Sequence, residues 1–241
     1  MTAPLVRLSG VSKYFGPVSA LRQIDLEVGQ GRMLAVFGPN GSGKTTLLSL
    51  LASLTSPTRG QIEYFGEFGQ DAGSRRARIG LISHQLMLYG EMTARENLSF
   101  FARLYAVEGD RRAEELLQQL GLGDAMDRPV RTFSRGMKQR LAIARALLHE
   151  PDLLLLDEPF TGLDQHAAGM LRDLLKGLKN NRRTIVMMTH RLDIGAELAD
   201  DLAILSLGRL AYYARHDEAV VERFEEVYSR TVAPTGTPQN P

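Results

Sequence analysis

Residues 38–46 have the types and the spacing of a loop that binds phosphate groups. They read Gly-Pro-Asn-Gly-Ser-Gly-Lys-Thr-Thr and fit the pattern G-x-x-x-x-G-K-[ST]. Glycines let the backbone turn its N–H groups inward around a phosphate, and Lys44 adds a fixed positive charge. The Thr45 hydroxyl is the expected ligand of a Mg²⁺ that bridges two phosphates of a nucleoside triphosphate. The predicted nucleotide-binding residues are Gly38, Pro39, Asn40, Gly41, Ser42, Gly43, Lys44, Thr45 and Thr46.

Two carboxylates follow an apolar segment later in the chain. Residues 153–156 are all leucine, and Asp157 and Glu158 come directly after them. Because an unbroken apolar run is typical of a buried parallel strand, both acids are expected at the sheet edge where open α/β proteins bind ligands. We predict that Asp157 holds the Mg²⁺ opposite Thr45 and that Glu158 activates or orients the attacking water. The alternative is a strand that simply ends in solvated acids.

The elements that must position these residues alternate between strands and helices. Residues 33–37 predict a buried strand before the loop, and residues 45–51 open a helix whose N-terminus favours anions. Residues 87–148 predict helices only, and 93–96 have the pattern of a capping box. The other predicted strands are 5–15, 21–28, 61–65, 79–83, 184–188 and 202–205. The predicted helices are 93–105, 111–120, 134–148 and 166–178, and a further helix is predicted before the strand 202–205. This order indicates an α/β protein with a helical insertion.

Composition and charge exclude several classes of function. Of the 241 residues, 44% are hydrophobic, and 29 Lys and Arg stand against 28 Asp and Glu, a net charge of +1. This balance gives no electrostatic case for nucleic acid as a partner. The absence of cysteine excludes disulfides, thiolate zinc sites and cysteine nucleophiles. No secretory signal is visible, and no run approaches the roughly 18 apolar residues that span a bilayer, so we expect membrane association only through a partner.

Five further motifs complete a family pattern. The segment 133–137 reads Phe-Ser-Arg-Gly-Met at a predicted helix start, shortly before the acidic strand. Gln85 and His190 each follow a predicted strand, Thr-Gly-Leu-Asp ends at Asp164, and Phe15 precedes a glycine. With the phosphate-binding loop, these motifs occur along the chain in the order typical of one family, and the chain resembles the ATP-binding cassette ATPases over about residues 5–214. The resemblance implies an α/β fold: a P-loop NTPase (RecA-like) core with an N-terminal antiparallel β subdomain and an inserted α-helical subdomain.

The resemblance also implies a role for each motif, with ATP and Mg²⁺ as cofactors. Phe15 would stack on adenine, with Tyr14 as the second choice, because stacking needs only an aromatic face. The implied catalytic residues are Lys44, Gln85, Glu158 and His190, and the implied metal ligands are Thr45, Gln85 and Asp157. A head-to-tail dimer is implied as well, in which Ser134, Gly136 and Asp164 contact the nucleotide held by a second ATP-binding subunit.

One departure from the family pattern concerns the signature, which is usually L-S-G-G-Q. Arg135 replaces a glycine and Met137 replaces the glutamine, whereas Ser134 and Gly136 are retained. Met137 cannot donate the hydrogen bonds of a glutamine. Arg135 either adds a cation near the nucleotide or lies solvated on the subunit surface, and we favour the surface.

The implied function is that of a nucleotide-binding subunit that powers a membrane exporter. We expect it peripherally on the cytoplasmic side of the cell membrane, bound to a transmembrane transporter subunit and paired as a homodimer. Apolar residues 86–92 would receive that membrane subunit, or else belong to the core of the insertion. The chain looks most like the ATP-binding subunit of the haem exporter used in cytochrome c maturation. The alternatives are exporters of drugs, lipids or polysaccharides, and a soluble cassette ATPase of cofactor or cluster assembly.

The expected domain organisation is simple. We expect one domain over residues 1–228, with its core at 1–86 and 149–228 and the helical insertion at 87–148. Residues 229–241 are polar and proline-rich, which predicts a disordered tail.

Overall fold

The computed structural model describes residues 3–69, 71–83, 85–108, 110–180 and 183–232. Within this part the strands are β1 (Pro4–Phe15), β2 (Val18–Gly29), β3 (Met33–Phe37), β4 (Arg59–Tyr64), β5 (Ile79–Ile82), β6 (Leu153–Asp157), β7 (Thr184–Thr189), β8 (Asp201–Ser206) and β9 (Arg209–Arg215). The helices are α1 (Lys44–Leu51), α2 (Ala72–Ala77), α3 (Ala94–Leu104), α4 (Asp110–Gln119), α5 (Arg135–Leu147), α6 (Gln165–Asn180), α7 (Leu192–Leu198) and α8 (Glu218–Val232). The predicted α/β class is confirmed.

A small antiparallel sheet of order β2-β1-β4 forms the N-terminal part of the fold. Leu8 of β1 pairs with Leu26 on one neighbouring strand and with Ile62 on the other. Leu8 and Leu26 are buried in the same apolar cluster as Leu47 of α1. The sheet therefore covers α1 and supports the loop before it, as expected for the predicted β subdomain.

The larger sheet has the order β5-β6-β7-β3-β8-β9, in which β9 is antiparallel and the other strands are parallel. All five residues of β3 are buried, and they alternate between the two apolar clusters on either side of the sheet. Parallel strands end at the same sheet edge. Phe37 at the end of β3 pairs with Thr189, and Asp157 at the end of β6 pairs with Met188. The loops that carry the predicted site therefore leave the sheet side by side.

Helices α3, α4 and α5 lie between β5 and β6 and form the helical insertion. The predicted capping box is present at the start of α3: Thr93 Oγ1 accepts from the Glu96 N–H at 3.1 Å, and Glu96 Oε2 accepts from the Thr93 N–H at 2.7 Å. One turn further, the fully buried Asn97 accepts from the Tyr89 N–H at 2.8 Å and donates to the Tyr89 carbonyl at 3.0 Å. The segment before α3 is therefore fixed to the insertion.

Three elements were not predicted from the sequence, namely α2, β9 and α8. The most consequential is α8, because its buried Phe224 packs on Phe37 with ring centroids 4.8 Å apart. The predicted disordered tail begins at residue 229, but residues 229–232 continue α8, since Val232 packs against the core. Residues 233–241 lie outside the described part of the chain. No described helix combines the length and the apolar character that crossing a bilayer requires.

Candidate active site

The loop between β3 and α1 depends on glycine for its conformation. Gly43, just before α1, has a φ of 107°, and a Cβ there would lie 2.6 Å from the Ala20 carbonyl oxygen. A Cβ at Gly38 would overlap the carbonyl oxygen of Leu205. The N–H groups in the first turn of α1 have no acceptor within the helix. The loop therefore brings hydrogen-bond donors and the positive end of a helix to one point, which suits an anion.

Lys44 lies over this loop and is itself buried. Its Nζ donates to the Gly38 carbonyl at 2.6 Å and to the Pro39 carbonyl at 3.0 Å. Burial lowers the pKa of the Lys44 ammonium group, and the negative charges of Glu158 and Asp157 oppose that shift. A poorly hydrated cation beside free loop donors is well placed to pair with phosphate oxygens.

Thr45 on α1 and Asp157 at the end of β6 are in contact, although β3, which precedes α1, and β6 are separated by β7 in the sheet. Thr45 Oγ1 donates to Asp157 Oδ2 at 3.2 Å. The described residues contain no group of three or more His, Cys, Asp or Glu that could hold a metal ion. One hydroxyl and one carboxylate suit Mg²⁺, which usually takes its other ligands from water and substrate phosphates. The pair therefore fits the predicted magnesium site.

Glu158 and His190 are in direct contact. Glu158 Oε2 lies 2.8 Å from His190 Nδ1. Glu158 has a φ of 51°, which is uncommon for a residue with a side chain, and its N–H donates to the Met188 carbonyl at 2.9 Å. Strained backbone of this kind is concentrated at functional sites. The turn after β6 holds the carboxylate beside His190.

These elements enclose a cavity of about 550 Å³, a size typical of small-molecule sites. Its walls come from β2 (Val18, Ser19, Ala20), the phosphate-binding loop and α1 (Asn40, Gly41, Gly43, Lys44, Thr45, Thr46), the segment after β5 (Ser83, Leu86), α5 (Arg135, Gln139) and the segment after β6 (Asp157, Glu158, Thr161). The structure thus brings the phosphate-binding loop and the two acids after the leucine run to one cavity.

Several predicted site residues lie outside these walls: Gly38, Pro39 and Ser42 of the loop, His190, Gln85 and Phe15. Gln85, predicted beside Mg²⁺ and the attacking water, is exposed, and its carbonyl accepts from Ser83 Oγ at 3.1 Å. The chain turns there toward the insertion, with a φ of 49° at Met87, and this turn leaves Gln85 in solvent. Phe15, predicted to stack on adenine, is 54% exposed, and the Lys13 ammonium lies 5.2 Å from its ring centroid.

The residues predicted to contact a partner's nucleotide also lie outside the chain's own cavity walls. Ser134 is exposed and caps α5, its Oγ accepting from the Met137 N–H at 3.2 Å. Asp164 accepts from the Ala167 N–H at 2.8 Å at the start of α6. A Cβ at Gly136 would lie 3.6 Å from the Gly162 carbonyl oxygen, so the start of α5 and the loop before α6 are neighbours.

Three polar residues near the site were given no site role from the sequence. Gln139 and Thr161 line the cavity, and Gln139 Nε2 donates to the Pro159 carbonyl at 3.3 Å. The third is Tyr228 of α8, whose hydroxyl has its pKa raised by burial and further by the negative charge of Glu158. The position of Gln139 could have been predicted, because it lies one helical turn after Arg135 and on the same face of the predicted helix. Nothing in the local sequence connects Tyr228 to Glu158.

A phosphate-binding loop between a buried strand and a helix, facing two carboxylates at a nearby strand end, defines a P-loop nucleoside triphosphatase. The family model described as ABC transporter matches residues 21–161, more than half of the chain. The chain therefore belongs to the ABC transporter family and is an ATPase of the ATP-binding cassette class, for which ATP and Mg²⁺ are the cofactors.

Curated relatives agree with this family. The ABC transporter ATP-binding protein NatA of Bacillus subtilis is 38% identical over 200 residues, which cover 81% of this chain and 81% of NatA. The daunorubicin resistance ATP-binding protein DrrA3 of Streptomyces coeruleorubidus is 36% identical over 226 residues, covering 92% of this chain and 72% of DrrA3. The Nod factor export ATP-binding protein I of Cupriavidus metallidurans is 37% identical over 213 residues, covering 87% of this chain and 70% of that protein.

Solved structures agree as well. An ATP-binding subunit of an ABC transporter superimposes with a TM-score of 0.84 at 29% identity, over 94% of this chain and 99% of the other. A dimeric ATP-binding cassette, solved in a post-hydrolysis state with ADP and Pi, gives a TM-score of 0.79 at 27% identity, over 88% of this chain and 99% of the other.

Proposed function

We propose that this chain hydrolyses ATP as the nucleotide-binding subunit of a membrane exporter. The observation that carries the catalytic part is the convergence of Lys44, Thr45, Asp157 and Glu158 on one cavity, with His190 touching Glu158. Phosphoryl transfer asks for positioned charge more than for covalent chemistry, and this arrangement provides it.

Each residue has a distinct task in this proposal. The loop donors and Lys44 bind the phosphates of ATP, and Thr45 with Asp157 would hold Mg²⁺, which would neutralise charge between the two terminal phosphates. Glu158 orients a water molecule on Oε1 for attack on the γ-phosphate, and His190 holds the carboxylate through Oε2. Gln85 remains a predicted sensor of the γ-phosphate, although its side chain lies outside the cavity walls.

A second copy of the chain is the proposed dimer partner. Ser134, Gly136 and Asp164 lie outside the chain's own cavity walls, as expected for residues that contact the nucleotide of a second subunit. The dimeric state of a structurally similar cassette supports this arrangement. ATP bound between two subunits would favour the closed dimer, and hydrolysis would release it.

A membrane subunit is the other proposed partner. Tyr89, Phe100 and Leu104 form an apolar surface on the insertion, with side chains 48%, 38% and 67% exposed. The Tyr89 and Phe100 rings pack edge to face with centroids 5.0 Å apart. Exposed aromatic clusters are typical of protein interfaces. We propose that a transmembrane transporter subunit covers this surface and thereby holds the chain peripherally on the cytoplasmic side of the cell membrane.

Export rather than import is proposed because a relative bears Nod factor export in its name and another bears daunorubicin resistance. The cargo is a separate question, since residues that hydrolyse ATP do not contact cargo. Haem stays a prediction from the sequence resemblance, and the names of the three relatives above give it no support. A drug-like cargo is the alternative that the DrrA3 relative favours.

Co-expression with a candidate polytopic membrane protein encoded beside this gene tests the proposal. We expect the two proteins to purify together, and inverted vesicles that contain both to take up labelled cargo when MgATP is added outside. Daunorubicin and haem serve as the two probes, and E158Q is the hydrolysis-deficient control. Failure of the two proteins to purify together, with ATP hydrolysis that the membrane protein does not change, would instead support a soluble cassette ATPase. ATP-driven release from inverted vesicles would indicate import.

A further inference from the structure

Arg135, where the family signature usually has a glycine, makes close contact within its own subunit. It is the first residue of α5, immediately after the capping Ser134. A Cβ built on Gly162 would lie 2.8 Å from Arg135 Nε, 2.9 Å from Cδ and 3.4 Å from Cγ. The stem of the arginine therefore occupies the space that a side chain at position 162 would need.

A second contact lies one turn further along the same face of α5. Gln139 is 8% exposed, and its Nε2 donates to the Pro159 carbonyl at 3.3 Å. Residues four apart on a helix point in the same direction, so α5 touches the loop after β6 at two successive points. That loop begins at Glu158, and Arg135, Gln139 and Thr161 line the cavity together with Glu158.

The contact atoms favour packing over charge, because two of the three are stem carbons and only Nε belongs to the guanidinium group. Cγ, Cδ and Nε of Arg135 face Gly162, whereas the residue as a whole is exposed and forms no ion pair with any described residue. An exposed guanidinium is screened by water, which weakens its effect on a phosphate. The close contact of the stem with backbone is unaffected by screening, because it depends on shape.

We propose that Arg135 is a positioning residue, which packs on Gly162 and so fixes the loop that carries Glu158 to the first turn of α5. Hydrolysis in each subunit then depends on where its own helical insertion lies. This inference rests on the proposed ATPase function. It differs from both sequence-based alternatives for Arg135, a solvated surface residue and a cation near the nucleotide.

Steady-state ATPase assays on purified full-length variants test the packing. We expect R135G to lower kcat by roughly tenfold or more with KM for MgATP changed by less than about twofold, because misplaced catalytic groups slow chemistry without weakening binding. R135K and R135M supply a stem of similar length, and both should retain more activity than R135G. If R135K keeps activity and R135M falls to the level of R135G, the charge matters and the packing proposal is overturned.

Gly162 provides the reciprocal test. G162A should lower kcat because its Cβ displaces Arg135, and R135G should restore part of the loss in the double variant by removing that overlap. Part of the effect is strain, since Gly162 has a φ of 79°, so the control is G66A, whose φ is 63° and whose Cβ meets nothing within 4 Å. If the loss in the double variant equals the sum of the two single losses, expressed as free energies, the pairing of Arg135 with Gly162 is contradicted.

Three further outcomes distinguish this inference from the alternative role of Arg135 and from the proposed function. In the E158Q background, R135G should still form the ATP-dependent dimer; loss of that dimer would assign Arg135 to the partner's nucleotide instead. If the wild-type protein hydrolyses ATP and R135G matches it, only the positioning role fails. A wild-type protein without ATPase activity would defeat the proposed function itself.

Discussion

Glu158→Gln is the perturbation that tests the catalytic assignment most directly. The substitution keeps the size of the side chain and the backbone bond from the Glu158 N–H to the Met188 carbonyl at 2.9 Å. The new amide oxygen can still accept from His190 Nδ1, the atom that now lies 2.8 Å from the carboxylate. Geometry is thus retained while the negative charge beside the attacking water is removed.

The magnitude follows from that single loss. A positioned general base contributes about 10²–10⁴-fold to rate, which corresponds to roughly 3–5 kcal/mol of transition-state stabilisation. Nucleotide affinity should be unchanged, because Lys44 and the loop are untouched. Since Glu158 and His190 are in contact, their losses should not add, and E158Q/H190A should lie within about threefold of E158Q alone.

The assay is phosphate release at saturating MgATP. Size-exclusion chromatography should also detect an ATP-bound dimer, because E158Q does not hydrolyse the ATP that holds the two subunits together. E63Q is the matched control, because Glu63 is exposed on β4 and is not among the residues that line the cavity. If E158Q hydrolyses ATP within about threefold of wild type, Glu158 is not the catalytic carboxylate.

Three more substitutions probe binding, docking and stability. Lys44→Ala should weaken MgATP binding, because the loop loses its buried cation, and equal titrations with a fluorescent ATP analogue would refute the role of Lys44. Tyr89→Glu should uncouple transport from hydrolysis without changing nucleotide affinity, whereas L54E, at an exposed apolar residue elsewhere, should leave transport coupled. Normal transport by Y89E would exclude docking at Tyr89. Phe224→Ala should reduce the free energy of unfolding by about 3–5 kcal/mol in denaturant titration, because the Phe37 ring loses its partner, and a loss below about 1 kcal/mol would contradict that packing.

The sequence predicted the elements around the phosphate-binding loop because their signals are local. The apolar run 33–37 coincides with β3, and the capping box at Thr93 fixes the start of α3 within one residue. Residues 86–92, predicted either to receive the membrane subunit or to belong to the core, are only partly buried. Leu88 packs against the core, whereas Met87 and Tyr89 are exposed. A run of apolar letters does not reveal which side chains a turn directs outward.

The contacts between distant segments could not be predicted from local sequence signals. The pairing of Glu158 with His190 requires β6 and β7 to be neighbours, and strand order is not a property of any local window. Helix α8 was not predicted although its apolar residues have helical spacing: positions 220, 221, 224, 227, 228 and 232 lie on one face and pack against the core. The periodicity is local and was available from the sequence, whereas the packing of Phe224 against Phe37 is a tertiary contact.

The substitution at position 135 shows why a motif cannot be judged residue by residue. Judged alone, an arginine in place of a glycine at a helix start is most simply assigned to the surface, since nothing local opposes it. In the fold, the missing glycine at 135 is matched by a glycine at 162, and the two positions share one space that only one side chain can fill. The φ of 79° at Gly162 also favours glycine, which has no Cβ to meet the Arg135 side chain. The two positions therefore constrain each other. Arg135, a departure from the usual signature, packs against the loop that follows Glu158.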